Sequence, residues 1–384
     1  MKDRYNILRA IGVFVFSVLA VTGWSHDSDN DTASRTQSKT FTVNSGDQLN
    51  INNKYGQVVV NTWDRDSLSI TVRLTAYGKT YLEASKTLDR IDVDLEKSGQ
   101  IINAETVFDR SSGFLSEVWK TLNDDSRALL SKSKLEINYQ VNAPKSLKIN
   151  VSNKFGDIYM TDVYSRLQID LMYGNFRVNQ INARSEINVT SGNVKIKSMK
   201  NGQLELKGTD TDIQKAEEIE INSSSSTIRI IEAVSIRYDG KGDKSLRVDE
   251  ISDISGKVSF SDITVGLLKK RVNLNMNYTD LRIEAVQFNF EGIDITGKSS
   301  DINLELPKNS FMEIDLEGRD DRMFLPIEFK VLEKQVVDEK KGDIRLSGTV
   351  GSSSNYKTTL RINADGGEID IRWSKETEKT SVKK

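Results

Sequence analysis

Short segments in which polar and apolar residues alternate recur along the chain between residues 151 and 304. Gly156, Gly174 and Gly192 open the first three segments, at intervals of 18 residues. Alternation with a period of two is typical of a β-strand that buries one face. A fixed period with one such strand in each repeat predicts a solenoid, in which every repeat forms one rung.

The apolar positions of these segments predict a continuous inner column of side chains. A second alternating segment, such as 167–171 or 204–206, lies between successive ones and leaves no room for a crossover helix. Parallel crossovers are nearly always right-handed. The sequence therefore predicts an all-β fold, a right-handed parallel β-solenoid (β-helix) with rungs of about 18 residues. Its predicted inner column is Ile158, Phe176, Val194, Ile213, Ile228, Leu246, Ile263, Leu281 and Ile302.

The N-terminus has the features of a secretory signal. Lys2, Arg4 and Arg9 precede an apolar run over 10–21 that is shorter than the roughly 20 residues of a membrane span. We therefore expect an exported protein, in the periplasm or at the cell surface or outside the cell. Contact with a membrane is expected only through this segment, and an uncleaved anchor is the alternative.

The rest of the chain is divided by its composition and patterning. The predicted regions are a signal peptide (1–25), a disordered linker (26–39), an N-terminal β region (40–150), regular repeats (151–304), C-terminal rungs with a cap (305–373) and a disordered basic tail (374–384).

Two segments have helical rather than alternating spacing. Leu82, Leu88 and Ile91 predict a short helix over 80–91. A second helical insertion, at about 111–133, would place one set of side chains on one face: Leu115, Val118, Trp119 and Leu122. This insertion is either a partner-binding helix that engages an envelope protein or a cap that covers an open edge of the solenoid.

Composition excludes several classes of chemistry. The 384 residues include no cysteine and one histidine, and the net charge is −2. Thiol catalysis, disulfides and histidine-based triads are therefore excluded, and the charge argues against nucleic-acid binding. No phosphate loop, nucleophile elbow or calcium loop is present, so we predict no catalytic residues, no metal site and no cofactor.

A polysaccharide-cleaving β-helix enzyme is a remaining catalytic alternative, because such enzymes use clustered carboxylates. The candidate carboxylates all occupy the first outward position of a strand, which favours a structural role at the turn. They are Asp157, Asp212, Asp262, Asp280 and Asp301.

The next outward position along each strand is rich in cations. It predicts a column of Tyr159, Arg177, Lys195, Gln214, Arg229, Arg247, Thr264, Arg282 and Asn303. Its five cations, Arg177, Lys195, Arg229, Arg247 and Arg282, either form a track for an anionic glycan or other envelope component, or form a salt ladder with acidic neighbours. The opposite face, with Asp170, Asn188, Glu205 and Glu220, is expected to be ordinary solvated surface.

These residues resemble the bacterial putative-adhesin family, secreted domains of unknown function made of β-strand repeats. The resemblance is carried by the Asn-Lys-Tyr/Phe-Gly units at 53–56 and 153–156, by the Gly-Asn units at 174 and 192, and by the segments 139–144 and 365–371. It implies a right-handed β-helix exported to the envelope, and brings no catalytic residues.

The sequence thus predicts an exported, non-enzymatic β-solenoid that acts as an adhesin-like binding or scaffold protein of the bacterial cell envelope. The alternative, which the resemblance implies, is an envelope-stress regulatory protein that acts through a protein partner.

Overall fold

A computed structural model describes residues 31–109, 135–288, 290–308, 310–351 and 358–374. The protein is all-β, with 24 strands and one α-helix in these ranges. It divides into two compact units, one up to Tyr159 and one from Met160 onward. The predicted signal segment, the insertion at 111–133 and the tail after Ser374 lie outside the described residues. No helix in the described ranges is long and apolar enough to cross a membrane.

The first unit contains strands that pair in both directions. Its elements are β1 (Asp31–Thr42), β2 (Gln48–Lys54), β3 (Val58–Trp63), β4 (Ser67–Gly78), α1 (Tyr81–Leu88), β5 (Ile91–Ser98), β6 (Ile101–Phe108), β7 (Leu135–Pro144) and β8 (Lys148–Lys154). β4 is antiparallel to β1 and β7, and β5 and β6 form an antiparallel hairpin. β2 lies between β6 and β8 and is parallel to both.

The second unit continues from β9, whose first two residues belong to the first unit. Its elements are β9 (Ile158–Val163), β10 (Leu167–Met172), β11 (Phe176–Ile181), β12 (Ser185–Ser224), β13 (Thr227–Lys241), β14 (Ser245–Ser259), β15 (Asp262–Asn277), β16 (Asp280–Ile283), β17 (Gly292–Lys298), β18 (Ile302–Leu306), β19 (Met312–Arg319), β20 (Met323–Phe324), β21 (Glu333–Asp338), β22 (Asp343–Val350), β23 (Thr358–Asp365) and β24 (Ile369–Trp373). Two 3₁₀ helices, Asp320–Arg322 and Ile327–Val331, flank β20.

Strand β1 corrects the predicted linker over 26–39, because residues 31–39 are part of a strand. Few of its side chains are buried, so no alternation of apolar residues marks it in the sequence. Its backbone pairs with β4 from end to end. In addition, Arg35, Gln37 and Lys39 donate hydrogen bonds to the Ile91, Val93 and Leu95 carbonyls of β5. Main-chain pairing and hydrogen bonds from long polar side chains therefore order a segment for which the composition predicts disorder.

Helix α1 confirms the short helix predicted over 80–91, with a different buried face. Thr80 caps it by accepting a hydrogen bond from the Glu83 N–H. Ala84 and Leu88 are its buried residues, whereas Leu82 is exposed. Ile91 lies in β5 rather than in the helix. The helix therefore contacts the core through Ala84 and Leu88, which are four residues apart. Of the three residues that predicted the helix, only Leu88 lies on this buried face.

In the second unit, consecutive strands are parallel and offset by nearly constant intervals. Leu167 pairs with Ser185 and Phe176 with Val194, in each case 18 residues later. From Asp210 onward β12 pairs with β13, and β13 pairs with β14 and β14 with β15 in turn. Side chains at alternate positions are buried along these strands, and the whole predicted inner column is buried.

A column of small residues lines the corner where each of these repeats turns inward. Gly192 belongs to it because a Cβ there would lie 1.8 Å from the Gly174 carbonyl oxygen. In later repeats hydroxyl residues take this place, and Thr209, Ser226, Ser261, Thr279 and Ser300 are all buried. The Thr209 N–H donates to the Ser226 hydroxyl and the Thr279 N–H to the Ser300 hydroxyl. A side-chain acceptor thus satisfies a buried backbone donor of the neighbouring repeat.

The last part of the second unit departs from the regular intervals. β17 pairs with β23 and β18 with β24, and Ile302 faces Ile369. Between them, β19 runs parallel to β23 and antiparallel to β22, and β21 closes the edge antiparallel to β22. The segment 312–350 therefore lies in the chain between β18 and β23, whereas β17 and β18 pair directly with β23 and β24.

Candidate functional site

The outward column of cations is built by the parallel register of β11 to β18. Arg177 pairs with Lys195, Arg229 with Arg247, Arg247 with Thr264, and Thr264 with Arg282. Arg282 in turn pairs with Asn303. Each strand contributes one outward-facing side chain to this column, and neighbouring strands lie about 4.8 Å apart.

One position of the predicted column is wrong. Asp212, not Gln214, is the register partner of Arg229, and Ile228 faces Thr211 rather than Ile213. Thr211 is buried, so the inner column accepts a hydroxyl residue here. A slip of two residues keeps every side chain on the same face, so the alternation of apolar positions does not reveal it. The column therefore contains a carboxylate between Lys195 and Arg229.

Two of the predicted cations are paired with carboxylates. Arg229 Nη2 lies 3.1 Å from Asp249 Oδ2, and Arg247 Nε lies 2.9 Å from Asp249 Oδ1. Arg247 also contacts Glu284, with 3.3 Å between Nη2 and Oε2. Hydrogen bonding to Glu284 and then to Asp249 raises the pKa of Arg247. This end of the column has the contacts of a salt ladder.

Arg177 and Lys195 are different, because neither has an ion pair within the described ranges. Together with Lys197, which the sequence analysis did not single out, they line an open groove of about 470 Å³. All three side chains are exposed. Asp212 is the one carboxylate along the groove, and the salt-bridged Arg229 lies at its far end. The groove therefore carries an excess of positive charge, because Asp212 offsets only part of the charge of Arg177, Lys195 and Lys197.

Arg282, the fifth predicted cation, lies apart from this groove. It lines a smaller depression with Asn303, Glu305, Asp370 and Arg372, in which Arg372 is bound to Asp370. Arg282 makes no ion pair with any described residue. Its carboxylate-bearing surroundings give this depression no excess of positive charge.

The opposite face carries hydrogen-bonded polar ladders. Asn188 Nδ2 donates to Asp170 Oδ1 at 2.8 Å, and Asn222 Nδ2 donates to Glu205 Oε1 at 2.8 Å. Glu220 lies 3.7 Å from Arg237. These carboxylates have partners in neighbouring repeats, which agrees with the expected solvated surface.

The remaining predicted site residues are those of the helical insertion and the candidate carboxylates. Leu115, Val118, Trp119 and Leu122 fall outside the described residues, so the two interpretations of that insertion stay predictions. The carboxylates Asp262 and Asp280 follow one another in register, as expected for one position per strand. In the part of the chain that the structure describes, no group of three or more acidic or histidine side chains is arranged to hold a metal ion.

Known proteins resemble the chain only distantly. No family model and no curated protein matches it. Several solved structures do, at low identity. A putative adhesin from Parabacteroides distasonis is 15% identical, with a TM-score of 0.31, over 70% of this chain and 97% of that one. A putative adhesin from Bacteroides fragilis is 13% identical, with a TM-score of 0.28, over 70% and 97%.

A third solved structure is described as a putative lipid binding protein from Parabacteroides distasonis. It is 14% identical, with a TM-score of 0.30, over 70% of this chain and 96% of that one. The resemblance to putative adhesins that the sequence indicated is thus found again among solved structures. At these scores the likeness carries no argument about function.

Proposed function

We propose that this protein is an exported, non-enzymatic β-solenoid of the bacterial cell envelope that binds an anionic polymer. The parallel strands at intervals of 17 and 18 residues support the solenoid. The N-terminal sequence, with its basic and apolar segments, supports export.

The observation that carries the proposal is the unpaired cluster of Arg177, Lys195 and Lys197. Arg177 and Lys195 are register partners on neighbouring strands, about 5 Å apart, and Lys197 follows Lys195 about 7 Å along the same strand. Three cations in such an area exceed what one monovalent group can neutralise. A polymer with repeated carboxylate, sulfate or phosphate groups matches this spacing and charge.

The ion pairs of the other cations support a binding track shorter than the whole column. Arg229 and Arg247 already bind Asp249 and Glu284, so a ligand would have to replace these contacts. Arg177, Lys195 and Lys197 have no such competitor among the described residues. Binding is therefore centred on the groove that these three residues line, rather than spread over the whole column.

The test compares two matched variants of the purified protein. One carries Arg177→Ala, Lys195→Ala and Lys197→Ala, and the other carries Arg229→Ala and Arg247→Ala. Binding to a sulfated glycan, a polyuronate, lipopolysaccharide and a neutral dextran is measured at low and high salt. We expect the first variant to lose about tenfold in affinity for the polyanions, and the second to lose much less.

High salt is expected to weaken binding of the unmodified protein, because the contacts are between exposed charges. Equal affinity of the unmodified protein and the first variant would overturn the proposal. So would polyanion binding that salt does not change.

A further inference from the structure

One corner residue in each repeat of the second unit adopts the left-handed backbone conformation. Most of these residues are glycine or serine, as this conformation is unfavourable for residues with a bulky side chain. Aromatic residues nevertheless occupy three of the corners. The series reads Tyr173, Ser191, Gly208, Ser225, Gly242, Phe260, Tyr278, Ser299 and Gly366. Backbone geometry gives no reason for these aromatic side chains.

Phe260 and Tyr278 form a stacked pair on the surface. Their ring centroids lie 5.2 Å apart and their planes differ by 7°. The two residues are 56% and 53% exposed. The backbone holds them on adjacent repeats, because the Phe260 N–H donates to the Asn277 carbonyl and the Tyr278 N–H to the Lys298 carbonyl.

An equivalent pair in the first unit is covered. Tyr55 and Phe155 also have left-handed backbones and stack at 5.6 Å. The Phe108 ring packs edge-on against Tyr55, at 6.1 Å and 89°. Burial also raises the pKa of Tyr55. No described aromatic ring covers Phe260 or Tyr278 in this way, so the same arrangement is left open to a ligand.

The outer faces of the exposed pair are flanked by small residues. Gly242 is the neighbour of Phe260, and Ser299 is the neighbour of Tyr278. A Cβ placed on Gly242 would meet no atom within 4 Å. The Phe260 ring face on the Gly242 side therefore borders space that no side chain at position 242 fills, and a flat ring can stack on an aromatic face that is open in this way.

Exposed carboxylates follow the aromatic corner residues closely along the chain. Asp262 and Asp280 lie two residues beyond Phe260 and Tyr278, are exposed, and are register partners. Neither carboxylate accepts a hydrogen bond or forms an ion pair among the described residues. Asp301 continues the row and accepts a hydrogen bond from the Glu368 N–H through one oxygen. Carboxylates accept hydrogen bonds from hydroxyl groups and repel anions.

We propose that the Phe260–Tyr278 corner is a binding site for a neutral glycan. A pyranose ring has an apolar face of C–H groups that packs on an aromatic ring, and a rim of hydroxyl groups that Asp262 and Asp280 can accept from. The carboxylates make this corner unsuitable for the polyanion assigned to the groove at Arg177. The two sites thus take ligands of different charge on separate parts of the second unit.

The series of corner residues supplies a clean variant. Serine occupies this conformation at Ser191, Ser225 and Ser299, so Phe260→Ser with Tyr278→Ser introduces no new backbone demand. We expect the double variant to keep its urea midpoint, because relief of the unfavourable backbone offsets the lost ring contact. A matched control, Tyr55→Ser, removes a ring from the covered pair and should lower the urea midpoint.

The binding experiment uses neutral oligosaccharides of glucose, mannose and N-acetylglucosamine with the full chain. Saturation-transfer NMR is expected to show the strongest transfer to C–H protons on one face of a bound sugar. The double serine variant should lose at least about tenfold in affinity for that sugar. The Tyr55→Ser variant should bind the sugar with the affinity of the unmodified protein. Polyanion binding should persist in the double variant. The polyanion proposal and the neutral-glycan proposal can therefore fail independently of each other.

Two results would overturn this inference. One is the absence of binding by every neutral oligosaccharide, which would leave the pair as a surface ladder. The other is equal sugar binding by the double serine variant and the unmodified protein. Binding of an apolar peptide or a neutral lipid vesicle at this corner, with no sugar bound, would reassign the site to that class of partner.

Discussion

Asn53 and Asn153 are register partners in the parallel pair of β2 and β8, although 100 residues of chain separate them. Each amide donates to a carbonyl in the turn after its own strand and, at a shorter distance, to a carbonyl of a neighbouring segment of the chain. Asn153 Nδ2 lies 2.9 Å from the Gly56 carbonyl oxygen, and Asn53 Nδ2 lies 3.0 Å from that of Ile137. Both side chains are buried. The repeated Asn-Lys-Tyr/Phe-Gly motif is thus one structural unit stacked on its own copy.

Replacing Asn153 by alanine is expected to destabilise the protein. The change removes the buried amide that donates to the half-buried Gly56 carbonyl, which costs about 1–3 kcal/mol. The measurement is urea unfolding followed by circular dichroism. Asn103→Ala is the control, because that amide is exposed and should change stability by less than about 0.5 kcal/mol. Equal losses from the two variants would contradict the role of the buried amide.

Asp243 is a buried carboxylate in the column of small corner residues. It accepts hydrogen bonds from the Tyr238 hydroxyl at 2.7 Å, from the Ser226 N–H at 2.8 Å and from the Ser223 hydroxyl. Burial and the nearby Asp243 raise the pKa of Tyr238. We expect Asp243→Ala to cost about 3 kcal/mol, because three donors lose their acceptor.

Asp243→Ser should be less damaging than Asp243→Ala. Serine is the residue found at Ser226 and Ser261 in the same column, where its hydroxyl accepts an N–H from the neighbouring repeat. It would restore the acceptor for Ser226 but not reach Tyr238. The order of unfolding free energies, unmodified then serine then alanine, is measured by urea titration, with the exposed Asp210→Asn as a control. An alanine variant as stable as the serine variant would contradict the ladder.

Asp47 gives the first unit an expected sensitivity to acid. The Asn44 N–H and the Lys97 ammonium, 2.5 Å away, lower the pKa of this carboxyl from its ordinary value of 3.8. A pKa lowered by folding means that the stabilisation is present above the ordinary value and is lost as the pH falls through the folded-state value.

The acid effect is measured by urea unfolding at a series of pH values from neutral to strongly acidic. Asp47→Asn should be less stable than the unmodified protein at neutral pH, and the difference should shrink as the pH falls below about 3.8. Asp94→Asn, at an exposed carboxyl, is the control and should show no such convergence. A difference that is constant with pH would disprove the role of the ionised carboxylate.

Gly192 and Gly242 are expected to respond differently to alanine. A Cβ at Gly192 would meet the Gly174 carbonyl oxygen, and backbone atoms have to move to avoid it. We expect Gly192→Ala to cost about 3 kcal/mol by overpacking. Gly242 has a φ of +66° and open space around it, so Gly242→Ala should cost only about 1 kcal/mol from its left-handed backbone. Thermal unfolding of both variants measures the difference, and equal losses would refute the steric explanation.

The sequence by itself determined which side chains face inward and which face outward in the repeats. Alternation with a period of two requires no knowledge of the partner strand, because each strand alone decides which residues share a face. The predicted inner column is buried for this reason, from Ile158 to Ile302. The turn between β5 and β6 at Ser98 and Gly99 is likewise local, because Gly99 supplies the left-handed backbone that it requires.

Only the tertiary structure decided which residues are neighbours across strands. The two-residue slip that puts Asp212 opposite Arg229 keeps the alternation unchanged, so the pattern cannot detect it. The pairing of Arg247 with Glu284 joins residues 37 apart, and Asn150 reaches Asn50 across 100 residues. Strand β1 forms through backbone pairing with β4. Its own residues are mostly polar and show no alternation that would predict a strand. Local patterns fix the face of a side chain, whereas register, ion pairs and the open corner at Phe260 and Tyr278 depend on how distant segments are brought together.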